Sequence, residues 1–329
     1  MDNVFVFIVG SPRSGTTILG EMLDRHRQIS QWYEPYFVWD RCFRRHPHDE
    51  RSRREATPRV INQIRHDFYR YREKSGSRVI VDKSPRNSLK IPFIKTIFPQ
   101  AQFIHLIRDG RDVTLSIHKE WRRRMQILND PSLGSRFNHR QALKVVRAWI
   151  SKQPFLQDKI RALWFETHGH FIDHSKHLNR TRWNGRIGWG PRFRNWEHFF
   201  NQKRLLQFNA YQWLKCVAAV HQAWDAIPTA KKLEIRYEEM IKAEQKTLAR
   251  IIDFIGLTAS DRFLGSLPQL KRGNTNKWAQ EFTNAQMSAI SPILNPMLER
   301  LGYLQPEDCQ TPGRVEDAAT PDDQTKQNP

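Results

Sequence analysis

The sequence predicts an α/β fold: a parallel sheet flanked by helices, forming one domain with a helical or loop insertion. Three observations carry this expectation. Val4–Val9 is apolar at every position, as strands buried on both faces are. It runs directly into a glycine-bounded loop and then into a segment of helical spacing. Further along, short apolar runs alternate with amphipathic stretches, the pattern of βα units on a parallel sheet.

In chain order, Val4–Val9 is the first strand and Gly10–Gly15 the loop. Ile18, Leu19, Met22 and Leu23 recur at helical spacing, which predicts a helix over 16–26. Arg78–Asp82 is a second strand. Pro92 can open a helix that stops before Pro99. Phe103–Ile107 is a third strand, followed by a helix from Asp109 to Trp121. Helical patterns cover 141–152 and 205–226, and Leu233–Tyr237 is a further strand. Leu248, Ile251, Ile252 and Ile255 share one face of a helix over 244–255, with Gly256 at its stop. Residues 160–200 mix Trp, His, Arg and Gly without a period and predict an irregular insertion or cap. The α/β domain is therefore expected over 1–304. Residues 305–329 hold six acids, two bases and four prolines, a composition that predicts a disordered tail.

Composition narrows the chemistry. The 329 residues include 54 Lys and Arg against 34 Asp and Glu, a formal net charge of +20. Such a surplus points to an anionic partner: nucleic acid, a membrane face or a phosphate-rich small molecule. Cys42, Cys216 and Cys309 are odd in number and far apart. They give neither a disulfide framework nor metal-ligand spacing, and a reducing compartment fits them. No apolar run is long enough for a signal-peptide core or a membrane span. The expectation is a soluble cytoplasmic protein whose only membrane contact would be electrostatic.

The loop reads GSPRSGTT from Gly10 to Thr17. A GxxxxG spacing after a buried strand is a P-loop-like phosphate-binding turn. Successive backbone N–H groups and the following helix N-terminus can cradle an anion. Ser14, Gly15, Thr16 and Thr17 supply that backbone and its hydroxyls, and Arg13 is the loop's only cation. A Walker A loop would carry Lys after the second glycine, where this chain has Thr16. The plain alternative is a tight strand–helix turn with no ligand.

GSPRSGTT resembles the 5′-phosphosulfate loop of sulfotransferases that use PAPS (3′-phosphoadenosine 5′-phosphosulfate). Its Arg variant is similar to the tyrosylprotein branch and its bacterial relatives. FIHLIRDGRDVTLSI, Phe103–Ile117, resembles the family's 3′-phosphate motif, which gives Arg108 and Ser116 the 3′-phosphate of PAPS. An Arg fork at a strand's C-terminal end suits a phosphate on its own physics; the alternative is an Arg–Asp surface network within RDGRD. Lys83 in DKSPRN resembles the lysine aimed at the transferring sulfuryl group. The bland reading is an exposed turn residue. IRYEEM, with Tyr237, resembles a late segment near the adenine, and KRGNTNKW, with Lys277, resembles a basic loop over the nucleotide.

The resemblance implies sulfuryl transfer from PAPS to an acceptor hydroxyl or amine on a small molecule, glycan or peptide. It implies no metal and no specific nucleic acid. Arg13 and Lys83 would stabilise the leaving 5′-phosphate. Glu34 in QWYEPYF stands where the tyrosylprotein branch has its catalytic base, among Trp32, Tyr33, Tyr36 and Phe37. The alternative for Glu34 is a surface turn beside Pro35. His105 is a rival base, but its mid-strand position favours packing in the sheet. Arg180, Arg182, Arg186, Arg192 and Arg194, interleaved with Trp183, Trp189 and Trp196, are acceptor-site candidates. Two readings compete: a small-metabolite P-loop kinase using Asp82 as its magnesium carboxylate, and a nucleic-acid binder prompted by the charge.

Overall fold

The computed structural model describes residues 4–43, 46–129, 147, 151–153, 155–161, 189–270 and 272–304. Five strands form one parallel sheet: β1 (Val4–Val9), β2 (Ile29–Tyr33), β3 (Val79–Lys83), β4 (Gln102–Ile107) and β5 (Lys232–Arg236), in the order β2-β3-β1-β4-β5. The expected α/β class and parallel sheet are therefore present. Val6, Phe7, Ile8 and Val9 are fully buried at the sheet's centre. Each such side chain contributes about 1.5–3 kcal/mol relative to exposure.

Strand alternation sorts the core into two faces. Val6, Ile8, Ile104, Leu106 and Ile235 meet α1 (Thr16–Leu23) on one face, along with two later helices, Tyr237–Lys242 and Glu244–Ile255. Phe5, Phe7, Val9 and Phe103 face the other way. There they meet α2 (Pro58–Ser75), α3 (Ile91–Ile97) and the end of the helix Leu205–Trp224. Beyond β4, that second face continues into α4 (Gly110–Asn129), α5 (Leu205–Trp224) and α8 (Asn284–Arg300). Tyr237–Lys242 is α6 and Glu244–Ile255 is α7.

Four elements differ from the sequence expectation. β2 and the 18-residue α2 were not foreseen. α8 runs through Pro292 and Pro296, residues that ordinarily break a helix. Buried Ile290, Leu294 and Leu298 hold it in the second-face core, so packing outweighs the lost backbone bonds. α4 extends past Trp121 to Asn129. Most of the predicted 141–152 helix, most of the 160–200 insertion and all of the 305–329 tail lie outside the described residues.

Candidate active site

The glycine loop is built to bring its backbone close to neighbours. Gly10 N–H donates to Ser88 Oγ (2.8 Å), and the Ser88 hydroxyl donates back to the Gly10 carbonyl (3.0 Å). A Cβ on Gly10 would stand 2.5 Å from the Leu106 carbonyl oxygen. Gly15 has φ +96°, and a Cβ there would stand 2.5 Å from the Tyr237 ring. Only glycine combines that backbone with that clearance. Ser14 is fully buried, and its Oγ has no hydrogen-bond partner among the described residues. Thr16 and Thr17 open α1.

Arg13 sits at φ 68°, a conformation that costs a non-glycine residue about 1–3 kcal/mol. Its Nε donates to Ser116 Oγ on α4 (2.9 Å). Arg108, at the end of β4, donates from Nη1 to the Arg13 carbonyl (3.0 Å) and from Nη2 to the Asn274 carbonyl. Its guanidinium lies 4.4 Å over the Tyr237 ring. Asp112 fixes the facing loop by accepting from Asn276 N–H (2.8 Å) and Trp278 N–H (3.1 Å). Lys277 of that loop lines the same cavity. Arg13, Arg108, Ser116, Tyr237 and Lys277 thus gather at one end of the cleft. Arg13 rests here on the serine that the sequence paired with Arg108. The Arg108 Nε is buried and without a partner among the described residues.

At the other end of the cleft, β2 and β3 pair with Tyr33 opposite Lys83. Glu34 follows β2 with φ 44°, and its Oε1 accepts from Lys83 Nζ at 2.5 Å. Lys83 is 1% exposed and Glu34 18%. The ammonium groups of Lys83 and Lys152 stand 4.3 and 4.4 Å from the Tyr33 ring. Of the four aromatics around Glu34, Tyr33 and Tyr36 line the cavity, whereas Trp32 and Phe37 belong to the core. The two ends share one cavity of about 640 Å³ at the C-terminal ends of the strands, lined also by Arg86, Lys119, Trp189 and Gly190.

Several sequence candidates lie elsewhere. His105 is 1% exposed in β4 and is not among the residues lining the cavity. Asp82 is fully buried, accepting from Trp39 Nε1 (2.6 Å), Ser84 Oγ (2.6 Å) and Asn87 Nδ2 (3.1 Å). Burial pushes its carboxyl up to about 6 against the pull of those bonds. A carboxylate so enclosed is no magnesium ligand, and the kinase reading loses the residue it needed. Arg192 and Arg194 are tied to the 46–50 segment through Asp49 (3.0 Å) and Glu50 (3.5 Å), and Trp196 Nε1 donates to the Pro47 carbonyl. These residues of the acceptor set brace a loop; Trp189 alone of that set's described members lines the cavity. Sequence reasoning missed Lys152, Arg86 and Ser88. Arg86 and Ser88 had a signal in their place in and directly after DKSPRN, while Lys152 is a single charge that only folding brings to the cleft.

Comparison with known proteins supplies a family for the chain. The model of the sulfotransferase family matches residues 6–167 and 191–261, well over half of the chain. The chain is 26% identical over 130 residues to the nodulation protein NoeE of Sinorhizobium fredii, covering 35% of this chain and 31% of that protein. It is 30% identical over 139 residues to protein-tyrosine sulfotransferase A of Caenorhabditis elegans (34% and 32%). It is 26% identical over 176 residues to the omega-hydroxy-beta-dihydromenaquinone-9 sulfotransferase Stf3 of Mycobacterium tuberculosis (35% and 45%). The matched span is under half the length of each of these relatives. Among solved structures, the sulfotransferase domain of the Synechococcus PCC 7002 olefin synthase superposes with a TM-score of 0.50 at 16% identity, covering 92% of this chain and 96% of that one. That likeness concerns the fold, and the family-model match carries the assignment: this chain belongs to the sulfotransferase family.

Proposed function

We propose that the chain transfers a sulfuryl group from PAPS to an acceptor hydroxyl or amine. The observation that carries this reading is the single cleft that holds an Arg–Ser–Arg cluster at one end and a Lys–Glu pair at the other. Ser14 Oγ and Arg108 Nε, buried and without partners among the described residues, fit an oxyanion ligand, because buried polar groups ordinarily find partners. Arg13, Ser14, Gly15, Thr16 and Thr17 would hold the 5′ end of the nucleotide. Arg108 and Ser116 would hold its 3′-phosphate, with Tyr237 and Lys277 beside them.

When bound, PAPS supplies an electrophilic sulfuryl group on a phosphate leaving group. Glu34 takes the proton from the acceptor oxygen as general base. Lys83 holds the Glu34 carboxylate in place, and with Arg13 it would offer positive charge to a phosphate leaving group. The rest of the work is positioning. The acceptor is a small molecule, glycan or peptide; Lys152 and Arg86 line its end of the cavity, ion-paired with Glu21 (3.2 Å) and Asp40 (3.2 Å). The relatives named for tyrosine and menaquinone acceptors support that range without choosing within it. No described helix is long and apolar enough to cross a membrane. Cytoplasmic residence is part of the proposal and rests on the free Cys42 and Cys216; fractionation that leaves the protein on membranes at high salt would refute it.

The test uses adenosine 3′,5′-bisphosphate, the product nucleotide, without added metal. It should raise the unfolding temperature, whereas ATP–Mg²⁺ and single-stranded DNA should not. Arg108→Ala should weaken this ligand far more than adenosine 5′-phosphate, which lacks the 3′ group. Equal loss for both would remove Arg108 from its role, and stabilisation by ATP–Mg²⁺ alone would overturn the reading.

A further inference from the structure

A second set of ligating side chains lies on the sheet face packed against α5, away from the sulfuryl-transfer cleft. His105 of β4 and Glu234 of β5 are register partners, so they emerge side by side on that face. His221, in the last turn of α5, comes down on them. His105 Nδ1 stands 3.3 Å from Glu234 Oε2, and one ligand atom from each of the three residues lies within 4.8 Å of the others. The two imidazole rings are 5.6 Å apart, and Trp224 packs on His105 at 5.4 Å.

The buried Nε2 of His221 has no hydrogen-bond partner among the described residues, and His105, 1% exposed, turns its Nδ1 to Glu234. Leaving buried polar atoms unpaired is costly, and a simple His–Glu strut between two strands would not bring in a second imidazole. Glu234 keeps 37% of its side chain exposed at the edge strand, which gives an ion a way in.

We propose that His105, His221 and Glu234 form a binding site for a divalent transition metal, best matched to zinc. Two imidazoles and one carboxylate are a zinc-type set with a fourth position left for water, whereas Mg²⁺ and Ca²⁺ want oxygen ligands throughout. Zinc bonds of about 2.0–2.2 Å place tetrahedral ligand atoms roughly 3.3 Å apart. His105 Nδ1 and Glu234 Oε2 already have that separation, and His221, whose ligand atom lies within 4.8 Å of theirs, must turn inward to close the third side. The ligands come from β4, β5 and α5, so a bound ion would clamp the edge strand to the helix above it. None of the three lines the sulfuryl-transfer cavity, so the role is structural.

The experiment titrates Co²⁺ and then Zn²⁺ into the chelator-treated full chain. One equivalent of Co²⁺ should bind with the intense visible bands of a tetrahedral site, Zn²⁺ should displace it, and the unfolding temperature should rise with metal concentration. His221→Ala and Glu234→Gln should each weaken Co²⁺ at least about tenfold, the smallest loss usual even for outer-shell partners. Both should keep parental affinity for adenosine 3′,5′-bisphosphate, which also reports that they fold; Glu234→Gln, on the exposed edge, serves alone if His221→Ala does not. Absence of stoichiometric uptake at micromolar Co²⁺ would overturn the proposal. So would uptake unchanged in the folded variants, which would assign the ion to other histidines of the chain.

Discussion

Lys83 Nζ and Glu34 Oε1, 2.5 Å apart, tie the two chemical roles of the cleft to one ion pair. A base held this way is aimed at one point of the cleft, and general-base catalysis needs the base within hydrogen-bond reach of the proton it takes. Glu34→Gln keeps the shape and the bond to Lys83 but removes the basicity. Turnover should fall by roughly 10²–10⁴ while affinity for adenosine 3′,5′-bisphosphate hardly changes, checked by kcat beside Kd. A variant within threefold of the parent would end the assignment. On the far side of β3, Asp82 makes a separate statement about pH. Its folded carboxyl is pushed up to about 6 from the ordinary 3.8. The folded state therefore binds a proton more tightly than the unfolded chain does. The stability this contributes is complete below about pH 4 and lost as pH rises through about 6. Asp82→Asn removes that slope, so the stability of the parent relative to the variant should decline between those two pH values in urea titrations. A constant difference would show that Asp82 does not titrate there. At this scale the sequence drew attention to Arg13, Lys83, Arg108 and Ser116 through motifs at strand ends and the glycine loop that resemble the family's, and all four line the cavity. It could not reveal Lys152, whose neighbour Tyr33 comes from another element.

Among the elements, those with a strong local signal were legible: β1, β3, β4 and β5 as apolar runs, and α7 by its one-sided stripe. α2 was missed although Thr57, Pro58 and Gly76 mark its ends, because Val60, Ile64, Phe68 and Tyr71 form a thin stripe among many charges. β2 offers only Ile29 and Trp32 as fully buried positions, too few for a period. α8 carries two prolines that argue against it locally, and only its contact with α5 explains it. The loop–α1 junction makes the opposite case, since its sequence and its geometry agree at Gly15. Gly15→Ala would hold φ +96° against its preference and drive a methyl into the Tyr237 ring. The protein should lose more than about 1 kcal/mol, and nucleotide affinity should drop with it, since Tyr237 also carries Arg108. Thermal unfolding and nucleotide titration of the variant check both. Unchanged affinity would mean that the loop binds no phosphate.

Across the whole molecule, the strand order explains why residues so far apart in sequence meet. From β1 the chain passes through α1 on one face; from its neighbour β4 it passes through α4 on the other. The crevice between those diverging connections is where open parallel sheets bind ligands, and Arg13 and Arg108 are the residues that flank it. The last described residues brace the same strand end. The Tyr303 hydroxyl donates to Glu238 Oε2 (2.8 Å), Glu238 Oε1 accepts from Asp109 N–H (3.1 Å), and the Tyr303 carbonyl accepts from Arg111 (3.1 Å). Leu301 and Leu304 are buried beside α5 and α8. Residues 305–329, with six acids, two bases and almost no apolar side chains, offer nothing comparable to pack. A chain ending at Leu304 should therefore unfold at the parental temperature and turn over within a few-fold of the parent, as exposed termini tolerate change. A chain ending at Arg300 loses two buried leucines and the Tyr303 brace. It should be destabilised by at least roughly 2 kcal/mol, the low end for one buried leucine, and should bind adenosine 3′,5′-bisphosphate more weakly because Asp109 and Arg111, which the brace holds, directly follow Arg108 in sequence. If instead the folded 1–304 chain loses turnover, the acidic tail must contact the basic body, and the division of the chain at Leu304 fails.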